Sequence, residues 1–301
     1  MVIIKHFIVV IFTLFAVQGI TQQQSEEPDA PSKKQIRKAR DKYLAIGSGL
    51  SYVKVIDNAT SPLLYRGLQP GNASLGYLVH SEERIKHIDV DFNFGWLKTR
   101  TETPWYDPRN TSYRIAIRHN ILYRLQPEIF NKVSWYIGPE LNINGHFRIN
   151  YKYGNSAFTF DNYNGIGIAT QFEYAFGYKS RELKFWFIKI NRRDRDLRLS
   201  WQLSTPVISF MIRPNYVTIT NFIDPELQTK ITADHIDGGF FVPFNLRSQT
   251  DLYYILHNQN MLKISYTWNF YHHDPGFNKV QSAYHGWFFS FVFKFNKSKP
   301  Q

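Results

Sequence analysis

The chain has 301 residues, 43% of them hydrophobic and 17% aromatic, with no cysteine and a formal net charge of +12. Zero cysteine in an exported chain excludes a disulfide-stapled secreted domain and a lipidated cysteine. The positive charge suggests anionic partners such as nucleic acid, lipid headgroups or lipopolysaccharide, of which the export signal read below disfavours nucleic acid.

Residues 1–21 read as a secretory signal peptide. Lys5 supplies the positive region, and Phe7 to Val17 is apolar but too short to cross a bilayer as a helix. Residues 22–42 contain "SKKQIRKARDK" and read as a basic periplasmic tail, and residues 297–301 as a short C-terminal tail. No apolar run after the signal approaches the length of a transmembrane helix.

From residue 43 to 296 the dominant period is two. In "IKHIDVDFNFGWL", Ile88, Val90, Phe92, Phe94 and Trp96 share one face, against His87, Asp89, Asp91, Asn93 and Gly95. In "SYRIAIRHNILYRL", Tyr113, Ile115, Ile117, Ile121, Tyr123 and Leu125 oppose Arg114, Ala116, Arg118, Asn120 and Arg124. "GIGIATQFEYAFGY" and "MLKISYTWNFY" repeat the pattern. Such runs, about ten or more residues long, exceed the usual five or six of globular strands and fit tilted membrane-spanning ones. Tyr and Trp gather near segment ends, where one side of the ring meets lipid and the other water.

Twelve strands are expected, near 43–57, 72–80, 85–98, 112–125, 133–143, 165–178, 183–190, 197–203, 207–213, 237–247, 260–271 and 284–296. Short turns near 81–84, 127–132, 179–182 and 204–206 alternate with longer loops, as in an up-and-down antiparallel β-barrel. "SQTDLYYILHNQN", 248–260, is expected as a short helix in an inner turn; read as two further strands it makes fourteen.

In a membrane barrel the polar face lines the lumen. That gathers His87, Asp89, Asp91, Arg114, Arg118, Arg124, Glu140, Glu173, Arg198 and Lys263 inside. On neighbouring strands the two aspartates, the arginines and Glu140 are expected side by side, acid–base–acid, where opposite charges attract. This network either selects small polar or anionic solutes or fills a narrow lumen. The chain shows no phosphate loop, zinc-finger spacing, HExxH or GxSxG, so no catalytic residue and no cofactor is assigned. Asp234, His235, Asp237, His272, His273 and Asp274 fall at strand ends or in loops. They are the candidates for a surface metal site or an Asp–His hydrolase. His119 has no serine two residues on, which departs from the Ser–His pair of twelve-stranded outer-membrane phospholipases.

The last strand, "HGWFFSFVFKF", carries Gly286, Phe289, Phe291, Phe293 and Phe295. Together with the alternation over 43–296, it resembles bacterial outer-membrane β-barrel proteins, with a composition similar to those of the Bacteroidota. Six residues follow Phe295, where many such barrels end on the aromatic. The resemblance implies a Gram-negative outer membrane and recognition of that strand by the barrel-assembly machinery. Three functional expectations follow. The first is passage or binding of small polar or anionic solutes. The second is a non-catalytic subunit of a larger assembly or secretion complex, with a protein partner. The third is a surface hydrolase.

Overall fold

A computed structural model describes residues 40–99, 109–125, 133–151, 157–178, 182–185, 188–191, 195–213, 217–218, 236–276 and 278–295. The signal peptide, most of the basic tail, Asp234, His235 and the C-terminal tail lie outside them. In chain order the strands are β1 Asp41–Asp57, β2 Ser61–His80, β3 Arg84–Lys98, β4 Arg109–Leu125, β5 Val133–Asn150, β6 Ala157–Tyr178, β7 Glu182–Phe185, β8 Ile188–Asn191, β9 Arg195–Ile212, β10 Val217–Thr218, β11 Ile236–Phe240, β12 Phe244–Ile255, β13 Met261–His273 and β14 Val280–Lys294.

Ten of these strands close on themselves. The antiparallel ladder runs β6, β5, β4, β3, β2, β1, β14, β13, β12, β9, and β9 pairs back with β6. The first and last strands meet along most of their length, from Tyr43 opposite Lys294 to Asp57 opposite Val280. Closure pairs every strand edge within the ring, which a sheet in lipid requires because no water is there to hydrogen-bond a free edge. Gly49 lies in that seam: a Cβ there would sit 1.9 Å from the Trp287 carbonyl oxygen. β1 starts and β14 finishes at the same end of the barrel, called the terminal end below; the opposite end is the distal end.

Side-chain burial shows which solvent the barrel is built for. Phe291, Ile46, Leu75, Val90, Ile117 and Ile143 form one registered row across six neighbouring strands. All six are exposed, from 36% to 51%. The row beside it on the inner face is Ser290, Gly47, Ser74, Asp91, Ala116 and Asn144. Apolar outside and polar inside inverts a soluble barrel. An apolar belt this extensive is sustained only against lipid, since soluble monomers rarely expose patches beyond a few hundred Å². The fold is therefore an all-β, antiparallel, transmembrane barrel of the outer-membrane type. Aromatic rings decorate the belt: Trp135, Phe172 and Trp201 stack in register across β5, β6 and β9, with centroids 5.6 and 5.8 Å apart.

Among the described residues the ring has ten strands, slightly fewer than the twelve, or fourteen, expected from the sequence. The segments 197–203 and 207–213 are one strand, β9, which runs straight through "STP". Pro206 is tolerated because it stands opposite Gly167 at an irregularity in the β6–β9 register, where a missing N–H disturbs no regular ladder position. The segment 183–190 is not a ring member: β7 and β8 form a separate two-stranded sheet. Residues 248–255 are not helical but complete β12, and a tight turn at 256–260 joins it to β13, with Leu256 N–H donating to the Asn260 carbonyl at 2.8 Å. β11 continues past β12 along β9. Between the strands expected at 43–57 and 72–80 there is no long loop but a turn over 58–60, after which β2 starts at Ser61.

Candidate functional site

The inner face is where charge accumulates, and alternation alone puts it there. Each strand buries every second residue against its opposite wall, so residue type in that register decides what fills the lumen. From terminal to distal end the filling has three tiers.

The first tier is apolar. Tyr43, Ala45, Leu78, Ile85, Leu122, Tyr136, Ala169, Tyr253, Met261 and Val292 pack together as one buried cluster, with Ile255 against it. Inward aromatic and aliphatic side chains from strands around the ring meet here.

The second tier is ionic. Asp89, Asp91, Arg114, Arg118, Glu140 and Lys263 are all buried here, as is Glu173 nearer the terminal end. The expected acid–base–acid ladder forms in part. Arg118 donates to Asp91. Asp89 is held instead by His87 of its own strand at 3.1 Å. Glu140 accepts from Gln202 at 3.1 Å. Arg114 takes no carboxylate: it donates to Asn93 Oδ1 at 3.0 Å and Asn144 Oδ1 at 3.4 Å, and its guanidinium lies 4.4 Å from the Tyr284 ring. Glu173 is paired across the bore with His80 at 3.0 Å. Two further charges, Arg247 and Asp251, belong to this tier; Gln249 lies between them on β12, accepting from Arg247 and donating to Asp251 at 2.9 and 2.8 Å. Asp251 was hidden in a segment expected to be helical, and Arg247 ends the expected strand 237–247.

The third tier opens with a second apolar cluster, comprising Val53, Val55, Tyr65, Leu97, Tyr163, Met211, Tyr271, Val280 and Tyr284. Beyond it two carboxylates and two guanidiniums form a closed box. Asp57 and Asp161 each contact both Arg148 and Arg213. All four are at most 4% exposed. Arg148 Nε donates to Asp57 at 2.8 Å, Thr159 to Asp57 at 3.0 Å and Tyr271 to Asp161 at 2.9 Å. Arg213 also donates to the Asn278 side chain at 3.0 Å, which ties in the segment before β14. Burying four charges is costly unless each is paired and hydrogen-bonded, and here both sides of each guanidinium find an acceptor. The box joins the ends of β1, β5, β6 and β9.

Arg124 and Arg198 do not join the ionic tier. They line a cavity of about 500 Å³ at the terminal end, with His80, Glu82, Ser134, Tyr136, Glu173, Ala175, Asp196 and Ile255 among the other lining residues. The histidines proposed for surface chemistry separate. His272 and His273 are adjacent on β13 and point to opposite faces; His273 is buried and lies 3.5 Å from Asp237. Among the described residues no three His, Asp or Glu side chains are grouped to hold a metal ion.

No family model matches the chain. No curated protein matches it either. Solved structures do resemble it in outline. The outer membrane protease OmpT from Escherichia coli is 9% identical, with 91% of this chain and 100% of that one covered, at a TM-score of 0.46. The transport unit of the Escherichia coli autotransporter AIDA-I is 10% identical, covering 91% and 93%, at a TM-score of 0.42. The toluene transporter TodX of Pseudomonas putida is 9% identical, covering 89% and 91%, at a TM-score of 0.30.

Proposed function

We propose that the chain is a closed, non-catalytic outer-membrane barrel that serves as a membrane-embedded subunit of a larger assembly in a Gram-negative envelope. The observation that carries this reading is the three-tier filling of the bore. A ten-stranded ring falls between small barrels packed by their own side chains and wide porins, and here two apolar clusters bracket an ion-paired middle. Selective passage of polar solutes needs a hydrated path. Tyr136, Tyr253 and Met261 at one end and Tyr163, Met211 and Tyr271 at the other stand across it.

In this reading residues 1–21 direct export, and Gly286, Phe289, Phe291, Phe293 and Phe295 present the assembly signal. The exposed phenylalanine side chains of that strand then take up their place in lipid. The terminal end faces the periplasm, because both barrel-end strands start or finish there. A hydrolytic role is disfavoured by the opposed directions of His272 and His273.

The test is extraction of the tagged full chain from its native envelope in mild detergent, followed by native electrophoresis. Co-migration with a partner at fixed stoichiometry is expected. Recovery of the barrel alone, at the size of one chain, contradicts the subunit reading.

A further inference from the structure

At the terminal end the cavity of about 500 Å³ opens above the first apolar tier. That volume lies in the range of small-molecule sites, about 300–1,000 Å³. Its charges are distributed unevenly. Glu173 is already occupied by His80 at 3.0 Å and by Gln171 at 2.9 Å. Arg198 is not matched in the same way. Its guanidinium lies 4.7 Å over the Tyr253 ring, and among the described residues its one hydrogen bond reaches the Met261 sulfur at 3.4 Å. Its Nε is buried with no acceptor. A ring face and a thioether are weak acceptors, so the guanidinium keeps donor capacity for an oxyanion.

Asp196 lies two residues earlier on β9, on the same face and nearer the mouth, and is exposed. At about 3.3 Å per residue, the two Cα atoms stand about 6.6 Å apart along the wall. Cation deep and anion at the rim is the reverse of a carboxylate-in, ammonium-out molecule. A di- or tripeptide carries its ammonium and carboxylate several ångströms apart, about one or two 3.8 Å Cα steps, and so can reach two charges set at different depths of the wall. Tyr136, Ala175 and Ile255 give the cavity an apolar wall and floor between the charges.

We propose that this vestibule is a binding site for zwitterionic di- or tripeptides with apolar side chains. The carboxylate takes the Arg198 guanidinium, the ammonium takes Asp196, and the side chains lie against Tyr136 and Ile255. The site neither needs an open bore nor depends on a protein partner.

The experiment is isothermal titration of the purified full-length barrel in detergent with dileucine, N-acetyl-dileucine, dileucine amide and free leucine. Dileucine is expected to bind. Blocking either end is expected to weaken binding by about tenfold or more, since each block removes a charge-assisted contact. Free leucine, too short to reach both charges, is expected to bind more weakly than dileucine. Asp196→Asn, at an exposed position, keeps the barrel intact and makes dileucine and N-acetyl-dileucine equivalent. Arg198→Gln does the same for dileucine and its amide. No binding of dileucine by folded wild-type barrel overturns the proposal. So does equal binding of all four compounds, or an Asp196→Asn barrel that still discriminates against the acetylated peptide.

Discussion

Replacing Arg213 by Met is the perturbation whose cost the distal box defines most sharply. The substitution removes one of two cations from a buried group of four charges, and the two carboxylates then share Arg148 alone. Asp57 keeps Thr159 and the Ala59 N–H at 3.1 Å, but Asp161 loses its partner on Oδ1. One net negative charge is stranded where exposure is 0%. Breaking a buried pair from one side costs about 3–5 kcal/mol, and at about 1.4 kcal/mol per tenfold this shifts the unfolding equilibrium by two to three and a half decades. Asn278→Ala removes only one neutral acceptor from the same guanidinium, so it is expected to cost about 1.5–3 kcal/mol. The double change Asp57→Asn with Arg213→Met restores the charge balance and is expected to cost clearly less than the sum of the two singles. Urea unfolding of the barrel in lipid vesicles, followed by tryptophan fluorescence, reads all four. A loss under about 1 kcal/mol for Arg213→Met, or strict additivity in the double variant, would refute the box as a buried, mutually dependent unit.

Two other substitutions probe the wall. Gly49→Val drives side-chain atoms into the Trp287 and Phe288 backbone, which cannot yield without opening the β1–β14 seam. The heat-modifiable folded band on cold gel electrophoresis is expected to vanish, and its survival at wild-type level would mean the seam is not as described. Phe291→Arg places a charge within the apolar belt at a position 50% exposed to lipid. It is expected to destabilise the vesicle-embedded barrel by about 2–4 kcal/mol, and an unchanged urea midpoint would place that row outside the membrane.

The barrel itself was legible because its clearest strands hold to one rule almost throughout. In β3 every outward position from Ile88 to Trp96 is apolar, in β4 His119 alone interrupts the outward run from Tyr113 to Tyr123, and Asp89, Asp91, Arg114 and Arg118 fall on the other face, where the structure buries them. The strand count failed where that rule is locally masked. Pro206 reads as punctuation, but the register irregularity at Gly167 absorbs it. In β12, Ser248 and Thr250 stand on the lipid face, and Tyr253 and Tyr254 make both faces aromatic, so the alternation blurs into something that can pass for a helix. The outward hydroxyl of Ser248 is accounted for by the Trp201 indole N–H, which donates to it at 2.9 Å.

The site was harder to read than the wall. Asp89 and Arg118 are direct cross-strand neighbours, yet the contact that forms is the diagonal one to Asp91, because His87 already holds Asp89. The distal box was missed altogether. Asp57 and Arg213 stand at the ends of expected strands, while Arg148 and Asp161 fall in a stretch, 144–164, expected to be loop. Only ring closure, which places β9 beside β6, brings positions 57 and 213 together. The unmatched Arg198 carried no signal either, since its lack of a carboxylate depends on which residues face it across the bore.

A lumen filled by the chain's own side chains conducts no ions. Conductance of the purified, folded barrel in a planar lipid bilayer tests it most directly. The wild type is expected to give a flat baseline, and stepwise currents are expected once Tyr136→Ala, Tyr253→Ala, Tyr163→Ala and Tyr271→Ala together thin both apolar clusters. Stable single-channel steps from the wild-type barrel would contradict it.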